Sequence, residues 1–106
     1  PYEKFPIDQN YTSYIAASYV KWAESSGARV VPIKVTDSKA DIAAVVAKLN
    51  GVIFTGGTAD FFSDPASAEL SEYADRGCQI FDQIVQANDN GTPIALWGTC
   101  LGYELL

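Results

Sequence analysis

The chain has no histidine and no methionine, only two cysteines, and seven lysines and arginines against thirteen aspartates and glutamates. The formal net charge of −6, with no cluster of lysines or arginines, argues against a nucleic-acid-binding surface. No apolar run approaches the length of a membrane span, which argues against a membrane partner. Two cysteines do not make a disulfide framework. Asp60, Asp64 and Asp75 have no spacing that suggests a metal site. The lack of histidine matters most. A cysteine hydrolase usually takes its base from histidine, so either this is not such an enzyme or the base lies outside these 106 residues. The chain opens Pro1-Tyr2-Glu3-Lys4, with neither a Met nor a visible signal peptide. We read it as a processed or excerpted chain.

The residues present can build one small core. Of the 106 residues 48% are hydrophobic and 19% charged, an ordinary balance for a globular domain. A helix is expected from a cap at Asn10 or Thr12 to about Ser26, with Ile15, Ala16, Tyr19, Val20 and Ala23 on one face and Gly27 as the stop. Residues 29–35 are rich in β-branched side chains and read as a strand. Pro32 removes one backbone donor, so that strand is expected to lie near a sheet edge or to be bulged. Ser38 with Asp41 three residues on opens a second helix, which Asn50-Gly51 ends. Val52-Ile53-Phe54 reads as a strand buried on both faces. Residues 59–71 read as a loop. A third helix follows from about Ser71 to Asn88, weakened at Gly77. Cys78 in that helix reads as a packing residue in a pattern with Tyr73, Ala74, Phe81, Ile84 and Val85, and Trp22 and Trp97 read as packing residues too.

Alternating helices and strands predict an α/β fold: a mainly parallel sheet with helices on both faces, a three-layer αβα arrangement. Active sites in such sheets gather at the carboxyl ends of the strands. Two segments fall at such ends. One is Thr55-Gly56-Gly57-Thr58, after Val52-Ile53-Phe54. The other is Gly98-Thr99-Cys100-Leu101-Gly102, after the apolar run from Pro93 to Trp97. A Gly-x-Cys-x-Gly segment between a strand and a helix is the cysteine form of a nucleophile elbow. The turn is tight, so its flanking residues must be small. The following helix would aim its free N–H groups and positive dipole end at the sulfur. Cys100 is therefore a candidate nucleophile for attack on a carbonyl carbon. A backbone N–H of the Gly56-Gly57 loop and that of Leu101 are candidate oxyanion donors, each typically worth about 3 kcal/mol in the barrier. A simple turn, or an anion-binding phosphate loop without the usual Gly-Lys-Ser/Thr ending, are the other readings of that loop. Glu104, one turn beyond Cys100, is open to two readings: a group that orients substrate, or a carboxylate that only favours the helix dipole.

Together these segments resemble the γ-glutamyl hydrolases, within the wider class I glutamine-amidotransferase-like group. The run from Tyr14 to Lys21 and the run from Gly27 to Ile33 are similar to that family's first helix and next strand. Leu49 to Gly57 is similar to its oxyanion-loop strand, and Leu96 to Glu104 to its nucleophile segment. The resemblance implies a flavodoxin-like fold, with residues 1–106 as the N-terminal part of one hydrolase domain. It implies that Cys100 attacks a γ-glutamyl amide to form a thioester that water then hydrolyses. The implied substrate is a folate with a γ-linked polyglutamate tail, and no metal or organic cofactor is implied. Tyr19, Gly56 and Glu104 would lie at the substrate, and Gly57 with Leu101 would form the oxyanion hole.

By the same resemblance the full-length protein would be lysosomal, vacuolar or secreted, and open to homodimer formation. The chain departs from the family pattern at Thr55, where proline is usual, and at Leu105, where many members have a second glutamate. The family's histidine and its acidic partner lie downstream of these residues, so the chain by itself is expected to be inactive. With the remaining strands removed, unpaired sheet edges would make it aggregation-prone. Two other readings use the same fold. One is a glutamine amidotransferase domain, and the other a binding domain without catalysis.

Overall fold

The computed structural model describes residues 13–64 and 66–106. The chain divides into two compact units, the first ending at Pro32 and the second running from Ile33 to Leu106. The first unit holds helix α1, Ala17–Ser25. Asn10 and Thr12 lie outside the described residues, and residues 13–16 are not helical. The helix therefore starts later than its apolar spacing suggests, at an N-cap, Ala16, whose side chain caps nothing. Its stop is the expected one. Gly27 takes a left-handed φ of 89° and donates its N–H to the Glu24 carbonyl at 2.9 Å. Trp22 is half-exposed rather than packed.

The strand expected over residues 29–35 does not form. Residues 28–34 have no ladder partner among the described residues, and Val30, Val31 and Val35 remain exposed. β-branched composition favours extended backbone, but a strand exists only when a neighbour accepts and donates along it. The end of the segment is instead drawn into a turn. Asp37 closes it, accepting from Lys34 N through its carboxylate at 2.9 Å and donating its own N–H to Lys34 O at 3.0 Å.

The second unit is built on helix α2 (Lys39–Val46), strand β1 (Gly51–Phe54), a hairpin of β2 (Phe62–Asp64) and β3 (Glu69–Leu70), helix α3 (Glu72–Asp89), strand β4 (Ala95–Gly98) and helix α4 (Leu101–Glu104). Both long helices start where serine provides a cap. The Ser38 hydroxyl accepts from Asp41 N and that of Ser71 from Ala74 N. The hairpin falls in the segment expected to be a loop. Its strands are exposed throughout, so no apolar alternation marked them.

β1 and β4 pair in parallel, Val52 opposite Leu96 and Phe54 opposite Gly98. A parallel pair needs a long crossover, which α3 supplies. Mixed α/β architecture with parallel pairing is thus what these residues form. The two faces of the pair differ. Val52 and Phe54 are buried in a cluster with Ile42 and Val46 of α2, Ile80 and Ile84 of α3, and Ile94. Ile53 and its register partner Trp97 point the other way, and Trp97 is 55% exposed. β1 is therefore not buried on both faces, and Trp97 is not a core residue.

Helix α3 runs unbroken through Gly77. A Cβ there would collide with the Leu105 side chain, so the glycine marks where the chain after β4 packs against α3. Burial of Ala74, Gly77, Ile80 and Ile84 turns Cys78, Phe81 and Val85 outward. Cys78 is thus exposed, since it sits about 100° around the helix from Gly77. At the far end, Asn88 ties α3 to β4. Its amide donates to Ile84 O at 2.8 Å and Ile94 O at 3.1 Å, and accepts from Ile94 N at 3.3 Å.

Candidate active site

The register of β1 and β4 places their carboxyl ends level, and one further backbone bond extends the ladder, Thr99 N to Phe54 O at 3.0 Å. The loop through Thr55, Gly56 and Gly57 therefore leaves the sheet beside the turn through Cys100. A Cβ on Gly57 would stand 3.5 Å from Leu101 Cδ2, so these two residues are neighbours.

Cys100 sits between β4 and α4 with φ 53° and ψ −117°. A residue with a Cβ in such a region costs about 1–3 kcal/mol and persists only where its surroundings impose it. The surroundings here are two glycines at the limit of approach. A Cβ at Gly98 would stand 2.6 Å from the Gly102 carbonyl oxygen, and one at Gly102 would overlap the Phe54 carbonyl. The first turn of α4 thus rests directly on the strand ends. Backbone bonds close it: Gly102 N to Thr99 O at 2.9 Å, Tyr103 N to Cys100 O at 2.9 Å and Glu104 N to Cys100 O at 3.0 Å. The Cys100 thiol is free and exposed. Leu101 opens α4, and the first N–H groups of a helix have no carbonyl within the helix to receive them. Trp97 adds a tie that sequence patterning did not indicate, its indole N–H donating to the Thr99 hydroxyl at 3.0 Å.

The structure thus gathers Cys100, Leu101, Gly56 and Gly57 at one rim of the second unit, with Glu104 exposed on the same turn of helix as Cys100. Tyr19 belongs to α1 in the first unit, where it is half-buried. Sequence reasoning placed Tyr73 only in the helical packing pattern around Cys78. Its ring lies 6.1 Å from that of Phe61, centroid to centroid. Its hydroxyl is buried without a hydrogen-bond partner among the described residues. Burial raises its pKa above the ordinary phenol value, and the Glu104 charge adds to the effect.

A parallel strand pair that runs through a left-handed cysteine into a helix defines an α/β chain of the nucleophile-elbow type. The chain belongs to the Peptidase C26 family, whose sequence model matches residues 2–106. It is 40% identical over 101 residues to a gamma-glutamyl hydrolase of Homo sapiens, a match covering 94% of this chain and 30% of that protein. Gamma-glutamyl hydrolase B of Dictyostelium discoideum is 38% identical over 92 residues, which is 87% of this chain and 25% of that protein. Gamma-glutamyl hydrolase 1 of Arabidopsis thaliana is 38% identical over 95 residues, 90% of this chain and 25% of that protein. The chain therefore spans under a third of the length of these relatives.

Proposed function

We propose that the full-length protein hydrolyses γ-glutamyl bonds, with folylpoly-γ-glutamates as substrates and Cys100 as nucleophile. The observation that carries this reading is the φ of 53° at Cys100, a strained backbone at a strand-to-helix turn whose glycines permit nothing larger. The names of its relatives supply the bond that is cleaved. The Cys100 sulfur attacks the γ-carbonyl carbon. The N–H groups of Gly57 and Leu101 receive the charge that develops on its oxygen. Collapse of the tetrahedral intermediate expels the amine, which takes up a proton, and leaves a γ-glutamyl thioester. Water cleaves the thioester and restores the thiol. Gly56 and Glu104 contact the substrate.

The proton acceptor is a histidine supplied by the protein outside these 106 residues, because they contain none. The chain alone therefore releases no glutamate. In the full-length protein further strands and helices complete a three-layer αβα domain around β1 and β4, and residues 1–106 are its N-terminal part. We place that protein in a lysosome or vacuole or outside the cell, and take a homodimer as its assembly.

The test is glutamate release from a γ-linked polyglutamyl folate by the full-length protein, beside its Cys100→Ala variant. Release that the variant abolishes is the expected result. A folded protein that releases glutamate from neither form would overturn the reading, and glutamine would be the next substrate tried.

A further inference from the structure

The Tyr73 hydroxyl is buried and has no hydrogen-bond partner among the described residues, an arrangement that costs folding free energy and calls for an explanation. Three observations say what lies next to it. Gly77, one turn along α3 from Tyr73, is in contact range of the Leu105 side chain. That contact sets the end of the elbow helix against the same face of α3 that carries Tyr73. Glu104 is the residue before Leu105; burial first, and the Glu104 charge after it, raise the Tyr73 phenol above its ordinary pKa. Finally, the Phe61 ring lies 6.1 Å from that of Tyr73, centroid to centroid, on the hairpin side.

We propose that Tyr73 is a positioning residue for Glu104: its hydroxyl donates to one carboxylate oxygen when Glu104 engages substrate and leaves the other oxygen to accept an N–H of the γ-glutamyl chain. The inference rests on the hydrolase reading above, since it gives Glu104 a substrate to hold. Among the described residues Glu104 is exposed and the phenol is unpaired. With substrate, the carboxylate is fixed and the phenol gains its partner.

Tyr73→Phe removes only the unpaired oxygen, so the variant should fold and should unfold at a midpoint equal to or above that of the parent. In the full-length protein we expect its KM for a γ-linked polyglutamyl folate to rise about tenfold, with a smaller change in kcat, the signature of lost ground-state binding. Glu104→Ala, which leaves the phenol no acceptor, supplies the second arm. If Tyr73 acts through Glu104, adding Tyr73→Phe to Glu104→Ala changes KM no further. Additive effects, or a Tyr73→Phe enzyme with unchanged KM, would overturn the proposal.

Alkaline titration of tyrosinate absorbance gives a readout that needs no turnover. The parent-minus-Tyr73→Phe difference isolates Tyr73, and Glu104→Gln should move that titration to lower pH. No movement would overturn the proposal even in a protein that releases no glutamate. Absence of glutamate release with the titration shift intact would instead count against the hydrolase reading, while leaving the Tyr73–Glu104 pairing supported.

Discussion

The two ends of the α2–α3–β core are held by opposite means. At the elbow, α4 sits on the strand ends with no room to spare, and Gly98 and Gly102 are needed for the space they leave empty. Along the α2–α3 edge, long polar side chains reach across an apolar layer. Gln79 and Gln83 donate to the Lys39 and Ala43 carbonyls at 2.7 and 2.9 Å, and Lys39 pairs with Asp75 at 2.8 Å. The first arrangement fails when an atom is added. The second consists of separate exposed bonds, so the loss of one leaves the rest in place. A nucleophile must be held to a fraction of an ångström, and close-packed backbone does that where flexible side chains cannot.

This contrast orders the expected effects of substitution. Gly102→Ala should be the most damaging, because its methyl would meet the Phe54 carbonyl and neither strand can move without breaking the β1–β4 ladder. We expect a loss of about 3 kcal/mol or more, seen as a large fall in thermal midpoint or no soluble full-length protein. A tolerated Gly102→Ala would break the comparison at its stronger end. Asn88→Ala removes three hydrogen bonds, one within α3 to Ile84 and two that join α3 to Ile94 just before β4, and should cost about 1–2 kcal/mol in urea unfolding.

Cys100→Gly works in the opposite direction. It relieves the left-handed backbone, so unfolding should require about 1 kcal/mol more while glutamate release is lost. A destabilised Cys100→Gly would mean that the turn is not strained. The smallest effect belongs to the exposed edge. The Lys39 ammonium, hydrogen-bonded to Asp75, holds that carboxyl below the usual carboxylate range, and Arg76 assists. A lowered folded-state value gives a contribution that is present above the ordinary aspartate range and is lost as pH falls through the folded value. The urea midpoints of the parent and Asp75→Asn should therefore differ slightly at neutral pH and converge in acid.

What could be read from the sequence was local. Ser38 and Ser71 announce their helices because a cap is made within three residues. Gly27 announces a stop because its φ is decided by its own missing Cβ. The elbow was legible for the same reason, since Gly98, Cys100 and Gly102 are adjacent. The misreadings came where a partner distant in sequence decides. Residues 29–35 have strand composition and no ladder among the described residues. The exposed hairpin at residues 62–70 has a ladder without strand patterning. Gly77 reads as a weak point in a helix until Leu105 is seen against it.

By itself, then, the sequence determined the kind of chain this is: mixed α and β elements, a cysteine in a glycine-flanked turn, and no histidine among its residues. Those properties depend on side-chain type and on neighbours a few positions away. Only the tertiary structure decided that Gly57 lies against Leu101, that Cys78 and Trp97 face outward, and that the Tyr73 hydroxyl is buried without a partner among the described residues. Each of these depends on how helices and strands are rotated and set against one another. That setting is a property of the whole packed core, summed over many weak contacts, and no single stretch of residues carries it.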